Sequence, residues 1–66
     1  MTEAEQERAR VVAWLREESR QCHKKALKLA ASGEDDRAGM FVGWSSAYAF
    51  AASRLERGDH LKEPQA

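Results

Sequence analysis

Apolar residues recur every three or four positions through most of the chain, which is the spacing of one face of an α-helix. In the first half, this spacing gives a row of small and apolar side chains, Val12, Leu15, Ser19, Cys22, Ala26 and Leu29. In the second half, it gives a matching row, Phe41, Trp44, Tyr48, Ala51 and Leu55. β-Branched residues, which favour strands, are scarce. We therefore predict an all-α protein of two helices that pack along these rows, with small side chains of the first row opposite bulky ones of the second.

A cap and a glycine indicate the ends of the first helix. Thr2 and Glu5 have the spacing of a capping box, in which side chains bond the free N–H groups of the first turn. Gly33 can adopt the left-handed conformation that ends many helices. The first helix is therefore predicted to run from about residue 3 to 31, and a turn is predicted at 32–35.

The second helix is predicted to run from about residue 36 to 57. Acidic residues at 34–36 supply an N-cap and a favourable charge at its start, and Gly58 ends it. Because the connection is short, the two helices are expected to be antiparallel neighbours. Residues 1–58 are thus expected to form one helical-hairpin domain, and the polar segment 59–66 a flexible tail.

The second helix carries more apolar surface than one neighbouring helix can cover. The apolar and small residues left over on the two helices are Val11, Trp14, Met40, Gly43, Ala47 and Phe50. We expect them to form a protein interface, in the first place with a second copy, so that two hairpins make a homodimeric four-helix bundle. A chain of 66 residues buries only about 60% of its unfolded surface, so association is needed for stability.

Small residues also lie four apart on the second helix, at Gly39, Gly43, Ala47 and Ala51. Such a strip lets two helix backbones approach closely. Each glycine inside a helix costs roughly 1 kcal/mol relative to alanine, so the glycines need an explanation. Two explanations are open. Either the glycines contact another copy of the chain, or they accommodate Trp14 or Trp44 within the hairpin.

Composition narrows the class of protein. Eleven basic and eleven acidic residues cancel, which argues against a strong nucleic-acid or membrane-surface role for the whole chain. The acidic N-terminus lacks the pattern of a signal peptide. The longest uncharged stretch, 38–53, is too short to span a bilayer as a helix. We expect a cytoplasmic protein without membrane contact.

Candidate catalytic or metal-binding groups are few and scattered. The segment 43–47, Gly-Trp-Ser-Ser-Ala, faintly resembles a nucleophile elbow, but that motif needs a strand-to-helix turn and here falls inside a helix. Cys22 is interpreted as a small core residue, His23 as a solvated flank residue and His60 as part of the tail. We therefore predict no enzyme activity, no metal and no cofactor.

A basic stripe offers an alternative function. Its members lie four apart on the first helix, at Arg16, Arg20, Lys24 and Lys28. In a dimer, two such stripes could contact nucleic acid or an acidic partner. The function predicted first is a small interaction or regulatory module that binds protein through an apolar helical face. Weak nucleic-acid binding and a purely structural subunit are the alternatives.

Overall fold

The computed structural model describes residues 1–58 of the chain. They form two α-helices packed against each other, α1 (Glu3–Ala31) and α2 (Asp35–Glu56), which confirms the predicted all-α class and the two-helix hairpin. Helix α1 has the predicted ends, and α2 begins and ends one residue earlier than predicted. The predicted flexible tail, 59–66, lies outside the described residues.

The start of α1 is fixed by the Thr2 side chain. Its hydroxyl oxygen accepts a hydrogen bond from the backbone N–H of Glu5 at 3.1 Å, which satisfies one of the free donors of the first turn. The same hydroxyl donates to the Glu5 carboxylate at 3.1 Å. The predicted cap is therefore present, although the carboxylate bonds the cap hydroxyl and not a backbone N–H.

The turn between the helices is closed by backbone hydrogen bonds, and the Ser32 hydroxyl adds one to the Lys28 carbonyl at 3.1 Å. Gly33 has a φ of +80°, the left-handed conformation that was predicted for it. Its N–H bonds the carbonyl of Ala30 at 3.0 Å, and the N–H of Glu34 bonds the carbonyl of Leu29 at 2.9 Å. These two bonds form a Schellman motif, which satisfies the last carbonyls of α1 and reverses the chain direction.

The start of α2 differs from the prediction in one respect. Glu34 occupies the N-cap position, but its side chain makes no cap hydrogen bond and instead accepts from the Arg37 guanidinium at 3.0 Å. Asp35 and Asp36 lie in the first turn, where their charges face the positive end of the helix dipole. The acidic cluster therefore favours this helix end by charge, while a side-chain cap is absent.

Small side chains line the seam, which we define as the contact line between α1 and α2. In α2, Ala38 and Ala52 are buried and Ser45 is half-buried, each seven residues from the next. At mid-length, the Ser19 hydroxyl of α1 donates to the Ser45 carbonyl at 2.8 Å. Ala26 of α1 is only 3% exposed. Since small residues occupy both sides, the helices approach closely there.

The predicted seam row of α1 is confirmed, because every one of its residues is buried or half-buried. On α2, Phe41, Tyr48 and Leu55 are half-buried as predicted. The prediction that Trp44 lies in the seam is wrong, since 48% of this residue is exposed. Seven-residue spacing of small residues sets the line of closest approach, and a bulky indole is displaced to its flank.

The core of the hairpin is thin. Only five apolar residues within the described chain are buried, Val12, Ala26, Leu29, Ala38 and Ala52, and no large side chain is fully buried. The thinnest dimension of the Cα trace is 10 Å, which corresponds to one layer of helices. One hairpin therefore leaves the remaining apolar surface open to solvent.

Candidate protein-interaction surface

Four aromatic residues gather on one flank of the hairpin, which we call the aromatic side: Trp14, Phe41, Trp44 and Tyr48. The rings of Trp14 and Tyr48 pack edge to face across the two helices, with centroids 6.4 Å apart. Those of Phe41 and Trp44 pack in the same way at 4.8 Å. Edge-to-face contacts of this kind are favourable because the positive ring edge meets the negative ring face. They hold the side chains in a defined arrangement, with both indoles about half exposed.

Much of the aromatic side is open to solvent. Trp14 is 57% exposed, and Val11, one helical turn before it, is 37% exposed. Beyond Val11, the surface continues into an open groove of about 320 Å³ near the chain ends of the hairpin, lined by Ala4, Glu7, Arg8, Val11 and Leu55. At the other end of the aromatic side, the Lys25 ammonium lies 5.0 Å from the centre of the Phe41 ring.

The side of α2 turned away from α1 forms a second apolar surface. We call it the outer face and define it by the row Met40, Gly43, Ala47 and Phe50, all of which are exposed. Met40 is 53% exposed and Phe50 is 62% exposed. The Arg54 guanidinium lies 5.3 Å from the centre of the Phe50 ring. Because α2 turns by about 100° per residue, the outer face borders the aromatic side near Trp44.

The structure tests whether the mid-helix glycines accommodate a tryptophan within the hairpin. A Cβ atom added to Gly39 or Gly43 would have no atom within 4 Å, apart from its own helix backbone and chain neighbours. Neither glycine therefore accommodates Trp14 or Trp44, and that explanation is wrong. Neither has a positive φ that would demand glycine. Nothing within the hairpin requires these residues to be glycine.

The six predicted interface residues thus fall on two adjoining surfaces. Val11 and Trp14 lie along the aromatic side, and the four others form the outer face. Trp44 was missed as a surface residue, because its spacing from Phe41 and Tyr48 also suits a seam. The seven-residue repeat of Ala38, Ser45 and Ala52 is the signal in the sequence that could have placed it correctly.

The basic stripe is interrupted by carboxylates. Arg16 pairs with Glu56 across the helices. Arg20 donates to Glu17 through two nitrogens, at 2.6 and 3.0 Å. The hydrogen bond from Gln21 to Glu17, at 2.9 Å, and then those from Arg20, lower the pKa of the Glu17 carboxyl from its ordinary value of 4.5.

The two arginines of the stripe therefore lie beside compensating negative charge. Lys24 and Lys28 are exposed and form no ion pair with any residue of the described chain. Phosphate binding depends on the number of cations that can replace counterions, and two lysines per hairpin are a modest number. Nucleic-acid binding stays a prediction, with fewer uncompensated charges to carry it than the sequence suggested.

No constellation of reactive groups is present in residues 1–58. They contain no group of three or more His, Cys, Asp and Glu side chains that could hold a metal ion. Cys22 is half-buried in the seam, and His23 is exposed. The larger groove, of about 550 Å³, is open to solvent, and two of its charged residues, Arg16 and Glu56, pair with each other.

Comparisons of the chain with protein families, with curated proteins and with solved structures find no match. Neither helix of the described chain is long and apolar enough to cross a bilayer.

Proposed function

We propose that this chain is a non-enzymatic interaction module that binds another protein through its aromatic side. The observation that carries the proposal is the exposure of two tryptophans on one flank, Trp14 at 57% and Trp44 at 48%. Tryptophan is the residue most enriched among those that dominate the energy of protein interfaces. Val11 extends the same flank and adds apolar contact area.

The arrangement of the rings suits binding. Trp14 is supported by Tyr48, and Trp44 by Phe41, through edge-to-face contacts. A side chain held by a neighbour loses less conformational freedom on binding, so less of the interaction energy is spent on ordering it. The partner that fits these exposed rings presents an apolar cleft or groove that can receive an indole.

The test compares two variants of α1, each of which loses one large exposed side chain. The full chain is immobilised, and proteins retained from an extract of the source cells are compared among wild type, Trp14→Ala and Leu27→Ala. Leu27 is 59% exposed, but on the flank of α1 away from Trp14, so it is the matched control. We expect one retained protein that Leu27→Ala keeps and Trp14→Ala loses.

The salt dependence of binding separates this proposal from the alternatives. Binding through the aromatic side is expected to persist at high ionic strength, because burial of apolar surface is not screened. Retention that disappears in salt, and survives Trp14→Ala, would assign binding to the basic residues of α1 instead. A protein retained equally by all three chains, or by none, would contradict the proposal and favour a purely structural subunit.

A further inference from the structure

The outer face of α2 extends further than its apolar residues. Its row follows the heptad spacing of a coiled-coil seam, with alternating steps of four and three residues. One step before Met40 the row reaches Asp36, and one step after Phe50 it reaches Arg54. Both charged residues are exposed, as are the four residues between them. The face therefore has an acidic start, an apolar middle and a basic end.

The row is symmetric about position 45 of the chain. Gly43 and Ala47 lie equally far from that position, and so do Met40 and Phe50, and Asp36 and Arg54. If a second α2 is laid antiparallel on the first, with a twofold axis at this point, each residue meets the other member of its pair. Gly43 of one copy then meets Ala47 of the other, and Met40 meets Phe50. At each end, the acidic Asp36 meets the basic Arg54.

Charge decides the direction of the second helix. Asp36 and Arg54 lie about 27 Å apart along α2, at 1.5 Å per residue. In the antiparallel arrangement, each end of the interface pairs a carboxylate with a guanidinium. In a parallel arrangement, Asp36 would face Asp36 and Arg54 would face Arg54, and like charges opposite each other are unfavourable. Arg54 can bond a partner while its guanidinium remains over Phe50, because that group has five donors.

The glycine at the centre fits this arrangement. Gly43 has open space where a Cβ would stand, so its lack of a side chain serves nothing inside the hairpin. With Gly43 facing Ala47 on both sides of the twofold axis, two α2 backbones can approach closely, and Met40 and Phe50 can pack on either side of that contact. The cost of a glycine inside the helix is then offset by contacts between helices.

We infer that a second copy of this chain covers the outer face, with the two α2 helices antiparallel about position 45 and Asp36 of each copy paired with Arg54 of the other. This interface lies beside the aromatic side and leaves Trp14 exposed for a different partner. It is independent of the proposed function, because it is a property of the purified chain alone.

The test is a charge exchange measured by sedimentation of the purified full chain over a range of concentrations at low ionic strength. Asp36→Arg and Arg54→Asp each place two like-charge pairs in the dimer, and each is expected to weaken self-association about tenfold. The double variant restores both opposite-charge pairs and is expected to associate like wild type. A mixture of the two single variants is also expected to associate like wild type, as a heterodimer.

Asp35→Arg is the matched control for the helix end. Asp35 lies in the same first turn as Asp36, so its loss costs the same favourable interaction with the helix dipole, but it points about 100° away from the outer face. It is expected to keep wild-type association. Equal weakening by Asp35→Arg and Asp36→Arg would assign the effect to the helix end and overturn the pairing.

Gly43→Leu tests the centre of the interface separately from folding. Since the position is open in the hairpin and leucine favours helix over glycine, the isolated chain is expected to keep or gain helical signal. Self-association is expected to fall at least tenfold, because the backbones can no longer approach. A wild-type chain that stays monomeric at every concentration overturns the inference. Strong association of the mixture of Asp36→Arg and Arg54→Asp, with weak association of the wild type and the double variant, also overturns it. That result is expected for a parallel dimer.

Discussion

The line of closest approach in the seam and the outward surfaces of this hairpin differ in composition. The seam is built from residues such as Ala26, Ala52 and Ser19, and its most buried residue is an alanine with no exposure. The outward surfaces carry the tryptophans and Phe50, each about half exposed or more. A small soluble protein normally places its large apolar residues inside, because their burial contributes most of the stability. Here small side chains allow the close approach of the helices, and several large apolar side chains stay exposed on the outside.

Two leucines of α1, two residues apart, give the largest expected difference between these regions. Leu29 is 8% exposed and Leu27 is 59% exposed. We expect Leu29→Ala to lower the free energy of unfolding by about 2–4 kcal/mol, because it leaves a cavity beside the turn. Leu27→Ala is expected to cost less than about 1 kcal/mol. Urea unfolding followed by circular dichroism measures both, and equal costs would contradict the assigned seam.

Enlarging an alanine tests the same difference between seam and surface by adding volume in place of removing it. Ala52 has no exposed surface, whereas Ala13 of α1 is exposed. Ala52→Leu is expected to destabilise the hairpin by about 1–3 kcal/mol, because the helices must separate to admit the added methylenes. Ala13→Leu makes the same change in open space and should leave the thermal midpoint nearly unchanged. A tolerated Ala52→Leu would mean that the helices are not closely packed.

The polar contact at the centre of the seam has a smaller effect. Ser19→Ala removes the hydrogen bond to the Ser45 carbonyl and is expected to cost about 0.5–1.5 kcal/mol. Ser46→Ala, on the exposed side of α2, is the control and should cost less than about 0.5 kcal/mol. Chemical denaturation distinguishes them. A neutral Ser19→Ala would show that this bond does not contribute to holding the two helices in register.

The smallest expected effect is one of pH on the surface of α1. The pKa of Glu17 is lowered by Gln21 and Arg20, so its charged form is favoured in the folded chain. The contribution to stability is present above the ordinary carboxyl pKa of 4.5 and is lost as the pH falls through the lower, folded value. Comparing wild type with Glu17→Gln in acid unfolding isolates this contribution. An unchanged pH dependence in Glu17→Gln would contradict it.

The ends of α1 could be predicted from short segments of the sequence. Thr2 and Gly33 determine where α1 begins and ends through hydrogen bonds made within a few residues, so both ends could be predicted. The rotation of α2 against α1 could not, because Trp44 and Ser45 both lie on rows of helical spacing. Close approach at Ser19 selects Ser45, and that contact joins residues far apart in sequence.

The six residues predicted to form an interface do not lie on a single surface. All six are exposed, yet the structure separates Val11 and Trp14 from the row on α2. Charge at the ends of that row, Asp36 and Arg54, was not recognised in the sequence as part of the same face. A pattern of apolar residues alone does not show which charged residues continue it.

The three-residue connection between α1 and α2 makes the two halves of the molecule respond differently to dilution. Helices tethered this closely meet at a high effective concentration whatever the amount of protein, so the seam forms in a single chain. The contacts that we propose for the aromatic side and the outer face would instead depend on the concentration of the partner or of the second copy. If the contacts that we propose are made, the concentrations of the chain and of its partner set how much of its tryptophan and phenylalanine surface is covered.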